Sequence, residues 1–568
     1  MSSQRLRTQF ERLYQHFQGE SSDTHLQCIS ELLFCTRRNT RMVISKMAEE
    51  GWIEWEPAVG RGKLSRLRFL QTDQEISLSQ AKRFVAEGRL DQALAALNHD
   101  NSQLALVIQD QLGLSHQQGK QIIRLPYYRQ LANLNPLKPI RRSEQHIINE
   151  IFSGLTKINE EKEEIEGDLA HHWESFSPRH WRFYLRPAIR FHDNSLLTSH
   201  DVITTFKQLQ LHDLFSHVER VVSPISNVID FYLSSDDVRF HELLGTNQAK
   251  ILPHDWLKRE DFDLLPVGTG PYKVARNDQQ RLVLEAHDYY FGYRSLVDTV
   301  EVWVLDKIPA CQLTPSIEDP STYISRPSET LTLDHGCCYV LFNRKSGIAT
   351  DPKWIKYLRS KLSSMELFSR IPHHTLGDFS VINAYGVLPG WHHQVPIVEP
   401  VQVPEKRTLT VAFHEDHPIY TELAAILKEL LAEDGIKLIA LELPTEDVAH
   451  GSRNDQIDFW VRGMSLGSKR EDALLSWLYS FGEIKRVMPE SEYRVIDELV
   501  QAWRKNSFSS FPASDIGRIL VQSGQVLPLY HTWVGVNDEQ HGVLQNTNSN
   551  GLGWFDFSQV WMRPPLND

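Results

Sequence analysis

The chain has 568 residues, 41% of them apolar, a formal net charge of −13 and five cysteines. That length exceeds one compact core and calls for two to four domains, and no apolar run approaches the roughly 20 residues a membrane-crossing helix needs. Cys28, Cys35, Cys311, Cys337 and Cys338 are odd in number and lack CxxC spacing, which excludes a disulfide framework and a paired zinc or redox motif and leaves reduced packing residues.

The average charge hides a split. Residues 1–70 carry 11 Lys+Arg against 8 Asp+Glu, and the remainder 49 against 65, so a basic head of +3 precedes an acidic body of −16. The charged N-terminus has no apolar signal core, from which a cytoplasmic location is expected.

Leu6, Phe10, Leu13 and Phe17 recur at three and four residues and predict a first helix. Asp23 or Thr24 is expected to cap a second, with Leu26, Ile29, Leu32 and Leu33 on its apolar side. Thr36 should cap a third, buried through Met42, Val43 and Met47 and stopped by Gly51. Three short helices in this order make a helix-turn-helix unit. The third opens with Arg37, Arg38, Asn39, Thr40 and Arg41, and recognition helices reach base edges from this end, where Arg reads guanine and Asn adenine by two hydrogen bonds each.

The strands "WIEWEP" and "SRLRFL" flank a Gly60–Gly62 turn that carries Arg61 and Lys63, with Arg66 on the second strand. A basic ribbon after a helix-turn-helix is a winged helix whose tip follows the DNA backbone. The competing P-loop reading of "GRGKLS" fails, because Pro57 stands where its first glycine belongs and Leu64 where Ser or Thr should follow the lysine. Residues 1–72 are therefore expected to bind double-stranded DNA through Thr36, Arg37, Arg38, Asn39, Thr40, Arg41, Arg61, Lys63 and Arg66. Residues 73–119, rich in Ala, Leu and Gln, predict a connector of two or three short helices. It either pairs two copies into a homodimer or packs on the head, and packing is the default.

From residue 120 the texture is mixed α/β. Thr198 caps a helix with Asp201 in its first turn, and Gly268 and Gly270 are expected to bend the chain before Pro271 and Tyr272 enter a strand. "LAHHWESFSPRHWRFYLRPAIRFHDNSLLTSHDVITTF", "PVGTGPYKVARNDQQRLVLEAHDYYFGY", "LFN" and "VLPLY" resemble the family 5 extracellular solute-binding proteins, the dipeptide and oligopeptide receptors of ABC importers. "VGRGKLSRL", "RRSEQHI", "DLAHHW", "HWRF" and "LGWFDF" extend the likeness over nearly the whole chain, to the SgrR-type bacterial transcriptional regulators. The resemblance implies a multidomain protein. A small α+β winged helix precedes a two-lobe α/β domain of the periplasmic-binding-protein type (type II, dipeptide/oligopeptide class) at 120–568, with lobe I at about 120–305 and 520–568 and lobe II at about 306–519. It implies a regulator that senses a small-molecule effector, a sugar phosphate being the signal proposed in that group. A solute receptor serving a transporter is the alternative.

The segment "DFWVRGMSLGSKREDALLSW" lacks the aspartate with which peptide-binding relatives neutralise a peptide's amino terminus. Arg141 and Arg142 before a helix opening at Ser143 suit an anion, and Trp391 in "PGWHHQ" could stack on a sugar ring, although packing is favoured for it. "GMSLG" around Ser465 fits a G-x-S-x-G nucleophile elbow, with Asp515 and His531 downstream. No HGGG-like oxyanion segment precedes it, so no enzyme is expected. The pairs His171/His172, His373/His374 and His392/His393 diverge on any helix or strand, and "HEDH" is not HExxH, so neither metal nor cofactor is expected.

Overall fold

A computed structural model describes residues 3–562 except 59, 61–62, 87–88, 99, 101–102, 105–106, 109–112, 118, 128, 160–161, 163, 305–328, 371–380, 396, 398–400, 406–407, 416–417, 468–469, 480–482, 538–543, 547–549 and 551. Arg61, Gly62, Cys311, His373 and His374 thus lie outside the described residues, as does half of "HEDH". The chain divides into two compact units near Gly113.

In the first unit, helices Ser3–Phe17, Leu26–Leu32 and Arg37–Glu49 pack on a three-stranded sheet in which Ser65–Phe69 lies between Ser22–Thr24 and Ile53–Glu56. The expected stripe Leu6, Phe10 and Leu13 is fully buried with Ile29, Leu33, Val43, Met47, Trp52 and Leu67. Two details differ from expectation. Asp23 and Thr24 do not cap the second helix; they belong to the short strand Ser22–Thr24, which pairs antiparallel with Ser65–Phe69, and His25 stands at the cap position without a side-chain hydrogen bond. Met42 is exposed, because the buried stripe of the third helix runs through Thr40, Val43, Ile44 and Met47, about a quarter-turn away. Gly51 ends that helix with φ +71°.

Helices Asp73–Ala86 and Leu90–Ala96 follow. Buried Arg7 of the first helix donates to Ser77 Oγ (2.6 Å) and to the Ala96 carbonyl (2.9 Å), so these helices pack on the head. The expected helical connector ends earlier than residue 119. Gly113–Gln117 is a strand, the edge of a five-stranded sheet in the second unit.

That sheet continues through Lys120–Tyr127, Thr299–Val304, Arg281–Ala286 and Tyr272–Asn277. A four-stranded sheet built on Ala170–Ser177, His180–Leu185, Val228–Leu233 and Val218–Val222 completes the first lobe. The second lobe holds a seven-stranded sheet ordered Glu329–Leu333, Val526–Asn537, Gly336–Phe342, Phe459–Ser465, Thr408–His414 and Lys437–Leu443, with Val381–Asn383 also on Val526–Asn537. The lobe boundary at 520 is therefore corrected. Val526–Asn537 pairs between two strands of the second lobe, while among the described residues Phe557 and Val560 of the segment assigned to lobe I pack in the core of the first lobe's five-stranded sheet. Pro528, which has no N–H to give a ladder, sits at a register shift opposite Tyr339.

Gly268 and Gly270 serve a different purpose from the expected bend. Neither has positive φ; a Cβ on Gly268 would fall 2.1 Å from the Ile151 carbonyl oxygen and one on Gly270 2.5 Å from that of Glu150. The motif is glycine-rich because backbone lies against the end of helix Arg142–Ile151. Adjacent Cys337 and Cys338 point to opposite faces of their strand, one into each core, and burial raises both thiol pKa values.

Candidate nucleic-acid interface and the junction of the lobes

Thr36 caps the third helix, its hydroxyl accepting from Asn39 N at 3.4 Å. Arg38, Arg41 and Ser45 are exposed at spacings of three and four residues, with exposed Met42 between them, and form the outward stripe opposite the buried one. Arg38 and Arg41 form no ion pair among the described residues. The other expected DNA contacts are more committed. Arg37 Nε donates to Gln27 Oε1 (2.6 Å), Asn39 Nδ2 lies 3.2 Å from Cys35 Sγ, and Thr40 is fully buried with Oγ1 donating to the Thr36 carbonyl. Thr40 is therefore corrected to a packing residue, since a side chain with no exposed surface meets no base.

On the ribbon, Lys63 is exposed beside the turn. Arg66 is exposed too, and the register sets it across from Glu56 on one side and Asp23 on the other, while Arg68 pairs with Glu54 at 3.1 Å. Cationic and acidic side chains thus alternate on the ribbon's outer face, and the third helix carries the less compensated charge.

In the second unit, Arg141, Arg142 and Ser143 do not form an open anion site. Arg141 Nε donates to Thr445 Oγ1 (2.9 Å) and Nη2 to the Glu415 carbonyl (3.1 Å), both in the second lobe. Arg142 pairs with Asp334 (2.9 Å), whose other carboxylate oxygen accepts from Ser465 Oγ (2.8 Å). Ser143 is buried and accepts from Tyr127 Oη (2.7 Å) and Trp554 Nε1 (3.2 Å). The expectation fails because the arginines' strongest available acceptors are protein groups of the opposite lobe.

The C-terminal stretch Leu552–Phe557 closes over this helix. Trp554 stacks on His146 with ring centres 5.4 Å apart, Phe557 N donates to Glu150 Oε1 (2.8 Å), and Gly553 leaves only 3.0 Å between a hypothetical Cβ and the Arg142 guanidinium. Burial holds the His146 pKa down to about 3 and pushes the Glu150 carboxyl up, the neighbouring Asp556 adding to the rise. Gly467 has φ +66° and faces Leu552, so this loop packs on an apolar side chain of the C-terminal stretch. Sequence reasoning did not bring "RRSEQHI" and "LGWFDF" together. The first is polar and the second aromatic, and contact across some four hundred positions leaves no local pattern.

Further contacts join the lobes: Arg470 to Glu242 (2.8 Å), Lys485 to Asp213 (2.8 Å), and buried Arg504 to His217 (3.3 Å) and Asp237 (3.7 Å). Trp391 packs its ring against Gly517 of helix Ala513–Gln522. Ser465 does not meet the downstream His531 or Asp515. Its hydroxyl is turned to Asp334, His531 Nδ1 to the Gly336 carbonyl (2.6 Å), and Asp515 pairs with Arg518. Among the described residues no cluster of His, Cys, Asp and Glu is arranged for a metal ion, and no helix is long and apolar enough to cross a membrane.

Residues 5–119 match the family described as "Sugar transport-related sRNA regulator N-term", and residues 164–311 match "Bacterial extracellular solute-binding proteins, family 5 Middle". Over 566 residues, the full length of both chains, the sequence is 38% identical to the HTH-type transcriptional regulator SgrR of Pectobacterium atrosepticum. The chain belongs to the SgrR family. Identity to SgrR of Yersinia enterocolitica is 37%, again over the full length of both chains. The SgrR relatives carry the name of HTH-type transcriptional regulators, and the second unit of this chain has the solute-binding-protein fold. The murein tripeptide binding protein MppA of Escherichia coli superposes with TM-score 0.59 at 16% identity, covering 79% of this chain and 99% of its own. A dipeptide binding protein of Pseudoalteromonas sp. SM9913, solved with Met-Leu, gives 0.60 at 14% identity, covering 78% and 100%.

Proposed function

We propose that this SgrR-family chain is a cytoplasmic regulator that binds promoter DNA through the third helix and wing of its first unit and answers to a small metabolite bound between the lobes of its second. The observation that carries the DNA reading is the exposed stripe Arg38, Arg41, Met42 and Ser45 on a helix whose opposite stripe is buried. Guanidinium groups at the start of such a helix have the reach and the donors to read guanine edges. Arg38 and Arg41 are the base readers, and Lys63, Arg66 and Arg61 the backbone contacts.

For the effector a sugar phosphate is favoured, supported by the wording of the matched N-terminal family and by the lack of a peptide-neutralising aspartate in the segment "DFWVRGMSLGSKREDALLSW". Arg141, Arg142 and Ser143 no longer support it, being held by protein groups. Thermal melting of the full chain with glucose 6-phosphate, inorganic phosphate and dipeptides tests this, because a ligand bound only by the folded state raises the melting temperature. A rise with the sugar phosphate alone supports the reading, and a rise with dipeptides alone replaces it. The DNA half is tested separately by anisotropy with labelled duplex. The effector regulates only if it binds the DNA-competent and incompetent states unequally.

A further inference from the structure

The first unit carries an open groove of about 510 Å3 lined by Arg5, Thr8, Gln9, Arg12, Leu33, Phe34 and Cys35. Residues 5, 8, 9 and 12 form one face of the first helix; residues 33–35 are the turn that leads into the recognition helix. Two features of this turn are unusual. Phe34 is 84% exposed, and its φ of 49° puts a bulky aromatic residue in the left-handed region that normally favours glycine. Strain of this kind persists where something else is gained, and here the ring lies under the Arg12 guanidinium, 5.5 Å from its centre.

The groove is electrostatically one-sided. It has no carboxylate among its lining residues, and Glu11, the one acid in helix Ser3–Phe17, is taken by Arg7 at 2.9 Å. Arg5 and Arg12 are exposed and form no ion pair among the described residues. The groove's floor is tied to the recognition helix, since Cys35 Sγ lies 3.7 Å from Gln9 Oε1 and 3.2 Å from Asn39 Nδ2. A helix start that reads base edges lies in a groove roughly 12 Å wide with a phosphate rail on each side, so groups flanking that start meet a rail.

We propose that Arg5 and Arg12, the latter positioned by Phe34, form a second phosphate-binding site that clamps the DNA backbone beside the recognition helix, in addition to the backbone contacts of the wing. The inference rests on the DNA reading above. A protein partner fits the groove less well, because Leu33 and Phe34 are its only large apolar residues and Arg12 already covers one face of the ring.

The test is fluorescence anisotropy of the full chain with a labelled duplex between about 50 and 200 mM salt, where the slope of log affinity against log salt counts released counterions at about 0.9 per phosphate. Arg5→Ala with Arg12→Ala should lower the slope by about two. Phe34→Leu should lower it by about one and Phe34→Tyr should restore it. Phe34→Gly should also lower it without lowering the melting temperature, since glycine accepts the backbone conformation; that outcome separates positioning from folding. Wild-type slopes in the double arginine variant, Phe34→Leu and Phe34→Gly overturn the clamp. If Arg38→Ala still lowers the slope in that case, the DNA reading stands and the groove becomes a protein contact. If the wild-type chain binds no duplex at any salt, both fail together.

Discussion

Arginines in the two units have opposite fates. In the first, Arg38 and Arg41 stand exposed on the recognition helix without a carboxylate partner among the described residues, so their charge is available to an external anion. In the second, Arg141, Arg142, Arg470 and Arg504 are all engaged across the lobe junction. The difference teaches what a run of cations in sequence means. "TRRNTR" and "IRRSEQ" look alike, each placing an arginine pair at a helix start. The first opens a helix whose outer stripe faces solvent, whereas the second opens a helix with Ile147, Ile148 and Ile151 in a core and the C-terminal segment folded over it. Only burial tells a ligand-seeking guanidinium from a structural one.

The sharpest break of this comparison is Arg504→Ala. Its side chain is 4% exposed and that of Asp237 is 3% exposed, so the substitution leaves a buried carboxylate without its cation. A loss of about 3–5 kcal/mol from the second unit's unfolding transition is expected, with the first unit's transition unmoved, as differential scanning calorimetry would show. DNA affinity at a temperature where both units stay folded should be unchanged.

Acid separates the units next. His192 is half-buried between Gly268 N and the Gly270 carbonyl, and loss of solvent around its ring depresses its pKa from 6.5 to about 3. The unfolded chain therefore binds more protons than the folded one between those values. The stability this group contributes is complete above pH 6.5 and is lost as pH falls towards 3, at about 1.4 kcal/mol per pH unit. His146 acts in the same sense. Asp168, raised from 3.8 to about 6 by burial, acts in the opposite one, stabilising the fold in acid and losing that contribution as pH rises through its window. Both remain in a His192→Asn variant and cancel in the difference from wild type. That variant should show an acid limb shallower by about 1.4 kcal/mol per unit in denaturant titrations of the second unit.

These cases show what was legible in the chain. The winged helix could be read almost entirely, because each of its elements is announced locally: the apolar stripes at Leu6 to Leu13, the Thr36 cap, Gly51, and two alternating strands around a glycine turn. Only Ser22–Thr24 escaped, since three residues are too few for a period and the strand exists by pairing with Ser65–Phe69. The receptor fold was visible through ordered motifs, but its boundaries were not. Val526–Asn537 belongs to the second lobe by pairing with strands almost two hundred residues earlier. The anion site was misplaced for the same reason, as nothing near Arg142 in sequence announces Asp334 or Ser465.

The smallest effect on folding makes the comparison most informative. Arg38→Ala and Arg41→Ala remove exposed side chains without a buried partner, so each should change stability by no more than about 0.5 kcal/mol. Binding can then be compared at equal foldedness at any temperature below the wild-type melt, whereas the Arg504 variant allows this only where its weakened second unit is still folded. If these residues read bases, affinity for a selected duplex should fall by about 1–3 kcal/mol while affinity for scrambled duplex falls less, so discrimination narrows. A uniform loss on both sequences would reassign them to phosphates. Loss of folding in place of binding would mean that their exposure in the first unit is covered by another part of the assembly, and the contrast between the two sets of arginines would disappear.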